Sequence, residues 1–229
     1  MKYLRGLLFF ASTVLLYLGL PFLGWGINHL RGFFAVAPRM GYALVVLIFG
    51  LAVGYQGIDN PEGVRGGHGD ESKRVRRQTV LAYALSWILF AVLFFLPFAD
   101  RRAIGTPGIG LGARWAGVAL CALGYTLIFW SGLSLGRLYS AEVTIQKDHR
   151  LITSGLYCYI RHPRYLGALC VAFGLSLTFR SWIGLLLSVL LPGLLLERIR
   201  DEEALMHQEF GREWEDYCGR SWRLIPWLY

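Results

Sequence analysis

The chain has 229 residues, 55% of them hydrophobic, a mean hydropathy of +0.46 and a formal net charge of +8 at neutral pH. So apolar a chain is not an ordinary soluble domain, and its length suits one compact membrane bundle rather than two domains. The basic residues lie between apolar segments and form no stripe with interleaved aromatics, which argues for membrane topology and against a nucleic-acid surface.

A basic start, Lys2 and Arg5, precedes an apolar run over residues 6–25 that only Pro21 interrupts. The run is long and no small-x-small cleavage site follows it, so it reads as a retained transmembrane helix rather than a signal peptide. A second span is expected over residues 41–56, flowing into a turn-rich loop over residues 58–78. That loop holds Gly66-Gly67-His68-Gly69 and then Lys73-Arg74-Val75-Arg76-Arg77. The glycines lack a P-loop lysine and a preceding strand, so they read as a connector, and the basic run as a juxtamembrane anchor. A third span is expected over residues 80–98, ended by Asp100-Arg101-Arg102, and a fourth over residues 115–135 after the turn at Gly105-Thr106-Pro107-Gly108. Trp115, Tyr125 and Trp130 read as interfacial or packing aromatics, with a place in a binding pocket as the alternative. In lipid all these spans must be helical, because no alternating barrel pattern appears.

Beyond residue 136 the chain changes character. A polar segment with a short extended piece at Val143-Thr144-Ile145-Gln146 leads into the polar and aromatic run Ser154-Gly155-Leu156-Tyr157-Cys158-Tyr159-Ile160-Arg161-His162-Pro163-Arg164-Tyr165-Leu166-Gly167. Two apolar runs follow, residues 166–178 and 182–196, each only about 20 Å long as a helix against a hydrocarbon core of about 30 Å. They predict a tight helical hairpin that spans only if its flanks extend the helices, and Gly167, Ala168, Ala172 and Gly174 let helices approach closely. The chain thus divides into a four-span scaffold, residues 1–135, and a catalytic region, residues 136–229. With the N-terminus inside, 17 of the 23 Lys and Arg residues fall on the inner side, so both clusters flanking the hairpin are expected to face the cytoplasm.

Proline at a first helical turn predicts a helix start at Pro163, whose free N–H groups, with Arg161 and Arg164 nearby, suit a carboxylate or phosphate. An ordinary interfacial helix start explains them as well. After the second apolar run comes Glu197-Arg198-Ile199-Arg200-Asp201-Glu202-Glu203. Arg198 and Glu202 are i,i+4 partners, whereas Arg198 and Glu203 differ by about 140° around a helix. The four cysteines, Cys121, Cys158, Cys170 and Cys218, form no CxxC pair and no zinc spacing, and the five histidines are scattered, so free thiols and no metal are expected.

In order along the chain, Ser154-Gly155-Leu156-Tyr157, Arg161-His162-Pro163-Arg164-Tyr165-Leu166-Gly167, Arg198 with Glu202-Glu203, Phe210-Gly211-Arg212-Glu213-Trp214 and Ile225-Pro226 resemble the isoprenylcysteine carboxyl methyltransferase and phospholipid methyltransferase superfamily. The resemblance implies an all-α integral membrane enzyme that uses S-adenosyl-L-methionine at the cytosolic interface and methylates a lipophilic or membrane-accessible acceptor from the bilayer. It implies a cofactor site at Gly155, Tyr157, Arg161, His162, Pro163, Tyr165, Gly167 and Glu202, and a reaction centre at Arg198 and Glu203. Arg198 would orient an anionic acceptor and Glu203 would position the cofactor or the arginine, or take a proton from an amine acceptor. A prenylated cysteine carboxylate is the family's best-known acceptor type, followed by a phospholipid amine and a small thiol. The C-terminal motifs also resemble those of NADPH-dependent membrane sterol reductases, and a transporter or scaffold of the same shape is the non-enzyme alternative.

Overall fold

The computed structural model describes residues 1–59, 71–74, 76–136, 144–146 and 151–227. The glycine loop and the turn at residues 147–150 lie outside the described residues. A first helix, α1 (Lys2–Trp25), contains a π turn at Leu15–Gly19. Pro21 has no N–H and crowds the carbonyl four residues back, and the wider turn relieves that crowding. The carbonyl so released, that of Tyr17, accepts the Tyr42 hydroxyl at 2.6 Å instead. Then come α2 (Leu30–Phe34), α3 (Ala37–Asp59), strand β1 (Glu71–Arg74), α4 (Arg76–Arg102), α5 (Leu111–Leu135), strand β2 (Thr144–Gln146), α6 (Pro163–Thr178), α7 (Trp182–Phe210) and α8 (Arg212–Cys218). The strands pair antiparallel, which places the expected extended piece beside the start of α4.

Among the described residues, five helices are long and apolar enough to cross a membrane. Four are the expected spans, each extended by a few residues. The fifth is α7, the second arm of the hairpin, because its helix continues through the charged residues to Phe210. Its 29 residues reach about 44 Å, whereas the 16 residues of α6 reach about 24 Å. Only one arm of the hairpin is therefore lengthened by its flank. Proline at N1 starts α6, and Ser181 caps α7 by accepting the Gly184 N–H at 3.0 Å.

The most intimate helix pair is α5 with α6. Glycines seven residues apart fall on one face of each helix, Gly117 and Gly124 on α5, Gly167 and Gly174 on α6. A Cβ at Gly124 would lie 2.5 Å from the Gly167 carbonyl oxygen, and one at Gly174 2.7 Å from the Cys121 nitrogen. The backbones therefore touch, and a side chain at either place would force them apart. This seam joins the expected scaffold to the expected catalytic region.

At the membrane end away from Pro163, one aspartate gathers the bundle. Asp100 accepts Arg39 at 2.9 Å, Arg114 at 3.3 Å and Arg180 at 2.7 Å, and its side chain is fully buried. Arg39 also donates to the Phe33 and Gly32 carbonyls and lies over the Trp25 ring, and Arg114 donates to the Thr178 carbonyl. Asp100 thus ties together α3, α4, α5 and the α6–α7 turn. Removing it strands three guanidinium groups, and Asp100→Ala is expected to cost about 3–5 kcal/mol of stability. Thermal unfolding of the detergent-solubilised protein checks this; a variant as stable as the parent would contradict it.

Candidate active site

The opposite end holds the polar cluster. After a short 3-10 turn, Gly155–Cys158, the chain runs to His162 and enters α6 at Pro163. Gly155 has φ +64°, a left-handed backbone that favours glycine. The segment is held by the far end of the chain. Arg161 N–H donates to the Trp222 carbonyl at 2.8 Å, His162 N–H to the Arg223 carbonyl at 3.1 Å, and Trp222 N–H to the Tyr159 carbonyl at 2.8 Å. The buried Tyr157 offers its carbonyl to the Tyr217 hydroxyl at 2.6 Å. Burial pushes the Tyr217 phenol up to about 12, so it stays a donor at neutral pH.

Two side-chain networks meet on this frame, and they divide the charged cluster of α7 between them. In the first, Glu203 accepts from Arg161 Nε at 3.2 Å and from Arg223 Nε and Nη2 at 3.1 and 2.6 Å, and it lies 3.2 Å from His162 Nε2. Arg161 carries the tie onward to Ser221 and to the Cys218 carbonyl. In the second, the Tyr165 hydroxyl donates to Glu202 at 2.8 Å while accepting from Arg198 Nε at 2.8 Å. The His162 and Tyr165 rings stack at 5.6 Å, joining the two networks. The five-residue offset between Arg198 and Glu203 thus points them at different partners, and Glu202, one turn from Arg198, meets it through a tyrosine. Arg200 and Glu197 pair in solvent instead, a contact worth little.

Of the residues singled out from the sequence, Arg161, His162, Tyr165, Arg198, Glu202 and Glu203 come together here. Pro163 sets the helix start beneath them, and Gly155 and Tyr157 form the adjoining turn. Gly167 faces the α5 seam. Arg223 completes the Glu203 clamp and was not singled out, because it lies twenty residues along the chain in a segment with no periodic pattern. Among the described residues no group of His, Cys, Asp and Glu side chains could hold a metal ion.

Beneath Arg198 and Tyr165 a cavity of about 350 Å³ opens between α4, α6 and α7, with Tyr17 and Tyr125 on its inner wall. Its lining is mostly apolar, including Leu89, Val92, Ala168, Ala172, Leu191 and Leu195, and its polar head is Arg164, Tyr165 and Arg198. The α6 glycines 167 and 174 face α5, while Ala168 and Ala172 face the cavity. Tyr125, for which packing and a pocket were both open, does both, whereas Trp115 and Trp130 are exposed, with the Trp115 ring against Gly41 of α3.

The Glu203 clamp fastens the segment after Cys218 onto the head of α6. Each charge-assisted bond is worth about 1.5–3 kcal/mol. Glu203→Gln is therefore expected to raise tryptic cleavage at the exposed Arg220 about ten- to a hundredfold, with the protein still monodisperse in detergent. Unchanged cleavage would mean that the segment is held by its main-chain bonds alone.

The isoprenylcysteine carboxyl methyltransferase (ICMT) family model matches residues 117–208. A protein-S-isoprenylcysteine O-methyltransferase of Schizosaccharomyces pombe is 39% identical over 72 residues, covering 31% of this chain and 30% of that protein. A Delta(14)-sterol reductase of Mus musculus is 37% identical over 89 residues, covering 35% of this chain and 20% of that protein. The solved structure of the eukaryotic intramembrane Ras methyltransferase ICMT superposes with a TM-score of 0.50 at 24% identity, covering 82% of this chain and 65% of that one. The chain thus spans less than two thirds of each of these proteins, and the superposition supports the shared fold. The match runs from the α5 seam through the hairpin to the charged turn that carries Arg198, Glu202 and Glu203, and over that stretch the chain is similar to the isoprenylcysteine carboxyl methyltransferase family, as its motifs imply.

Proposed function

We propose that this multi-pass membrane protein is an S-adenosylmethionine-dependent methyltransferase that methylates the carboxylate of a lipophilic acceptor, a prenylated cysteine being the type its relatives' names support. One observation carries the reading: an apolar cavity between membrane-spanning helices ends at a guanidinium, Arg198, which shares a tyrosine hydroxyl with the polar cluster. An acceptor with an apolar tail and an anionic head fits that cavity end to end.

The polar cluster fits the cofactor. Glu202 is about one third exposed and has acceptor capacity left beside the Tyr165 hydroxyl, suited to ribose hydroxyls or an ammonium group. The stacked His162 and Tyr165 rings offer a flat apolar face, and the turn at Gly155 and Tyr157 offers backbone groups. These residues would hold the cofactor, with Pro163 fixing the helix start and Arg161 acting through the Glu203 clamp; Gly167 contributes packing. When bound, the cofactor supplies an electrophilic methyl group on a sulfonium. Arg198 then orients the acceptor carboxylate toward it by charge and by its fixed bond to Tyr165, so the chain's contribution is alignment and charge stabilisation.

Glu203 bears on the choice of acceptor. Two arginines and a histidine surround it, so it stays ionised and serves poorly as a proton acceptor. A protonated amine needs such a base and a carboxylate does not, which favours the carboxylate. The charge topology of the sequence supports a cytoplasmic position for the site.

Arg198→Ala is expected to lower carboxyl methylation at least about a hundredfold, in line with loss of one oriented charge at a reaction centre. Binding of S-adenosylhomocysteine to the same purified variant should persist, because the cofactor face is intact. Parent-like turnover would remove Arg198 from the reaction centre. Binding of NADPH without binding of S-adenosylhomocysteine would overturn the methyltransferase reading altogether.

A further inference from the structure

The cavity has a floor as well as a head. From Arg198 it descends α7 past Ser188 to Gly184, about 21 Å of helix; along α6 it runs from Arg164 to Ser176, about 18 Å, and along α4 from Ala82 to Val92, about 15 Å. These depths are half to two thirds of the ~30 Å hydrocarbon core, a little more than one leaflet.

At that depth the wall changes chemistry. The Ser176 and Ser188 hydroxyls lie 3.1 Å apart, and each also bonds the carbonyl one turn back, Ala172 at 2.7 Å and Gly184 at 2.8 Å. Both residues are buried. One turn further along α7 the wall closes in at Gly184, which lines the end of the cavity: a Cβ there would come within 2.6 Å of Ser176 Oγ and 3.0 Å of a Leu96 methyl carbon. The Ser181 N–H closes the same end on the Ser176 carbonyl at 2.9 Å, next to Arg180 and its partner Asp100.

We infer that the close-packed floor at Ser176, Ser188 and Gly184 is a length gauge that selects acceptors whose hydrocarbon tail extends about 15–20 Å from the head held at Arg198. The inference rests on the reading of the cavity as the acceptor site. Up to the floor, each added carbon gains packing contacts with the apolar wall. At the floor a longer tail meets a hydrogen-bonded pair that it cannot replace, and it must buckle against close-packed helices or turn outward between α4 and α7.

The test is the affinity of the purified protein for a series of N-acetyl-S-alkylcysteines of increasing tail length, expressed per mole fraction in the detergent micelle. Affinity should rise to an extended tail of about 15–20 Å and then fall about tenfold over the next few carbons, the scale of an overpacked core. In Ser188→Leu, which fills the floor, the maximum should move to a shorter tail. A wild-type profile that is flat or still rising beyond about 20 Å overturns the gauge, and that series decides the matter even if the variant fails to fold. A maximum unmoved in well-folded Ser188→Leu overturns it as well. If the acceptors bind and are methylated with no length preference, the gauge fails alone; if none binds at any length, it fails together with the acceptor reading.

Discussion

A single phenol joins the two halves of this site. The Tyr165 hydroxyl gives its one proton to Glu202 and takes a hydrogen bond from Arg198, so the carboxylate of the polar cluster and the guanidinium at the cavity head are fixed relative to each other. That geometry needs Tyr165 in the first turn of α6, and α7 passing alongside at the level of Arg198. Both conditions come from elsewhere in the fold. Pro163 starts the helix two residues earlier, and Ser181 begins α7 after a three-residue turn.

Three constraints then hold α6 in place. On one side the glycine seam lets its backbone touch α5, which leaves its other face, Ala168 and Ala172, to line the cavity. At its far end Asp100 collects Arg39, Arg114 and Arg180 from three other parts of the chain. At its near end Glu203 binds Arg161 and Arg223, pinning the segment before α6 to the end of the chain. The cavity is the space these ties leave beside α4, whose outer face is apolar and exposed, as a lipid-facing helix requires.

Much of this was legible in the sequence because it is local. The start of α6 followed from one proline, the hairpin turn from Phe179-Arg180-Ser181, the strand at Thr144–Gln146 from a short β-branched run, and the close helix approach from small residues at helical spacing. The ordered motifs also marked most of the residues that gather around Tyr165. The unread features are pairings across distance. Asp100 was taken for the end of a helix at an interface, and nothing near it in the chain announces three arginines from elsewhere. Arg223 lacks local signal for the same reason, and the division of Glu202 from Glu203 depends on which way each side of α7 faces. The length of α7 was hidden by its composition, since a hydropathy pattern stops at Leu196 while the helix continues through charges to Phe210.

The proposed function turns on transfer of a methyl group to a carboxylate at the head of an apolar cavity. It is tested most directly by supplying the purified protein with S-adenosylmethionine labelled in its methyl group and a prenylated cysteine, then treating the product with base. The account predicts label in the lipophilic product that base releases as methanol, the signature of a carboxyl ester. Label that resists base, as in an amine or thioether, or no label in any lipophilic product, would contradict it.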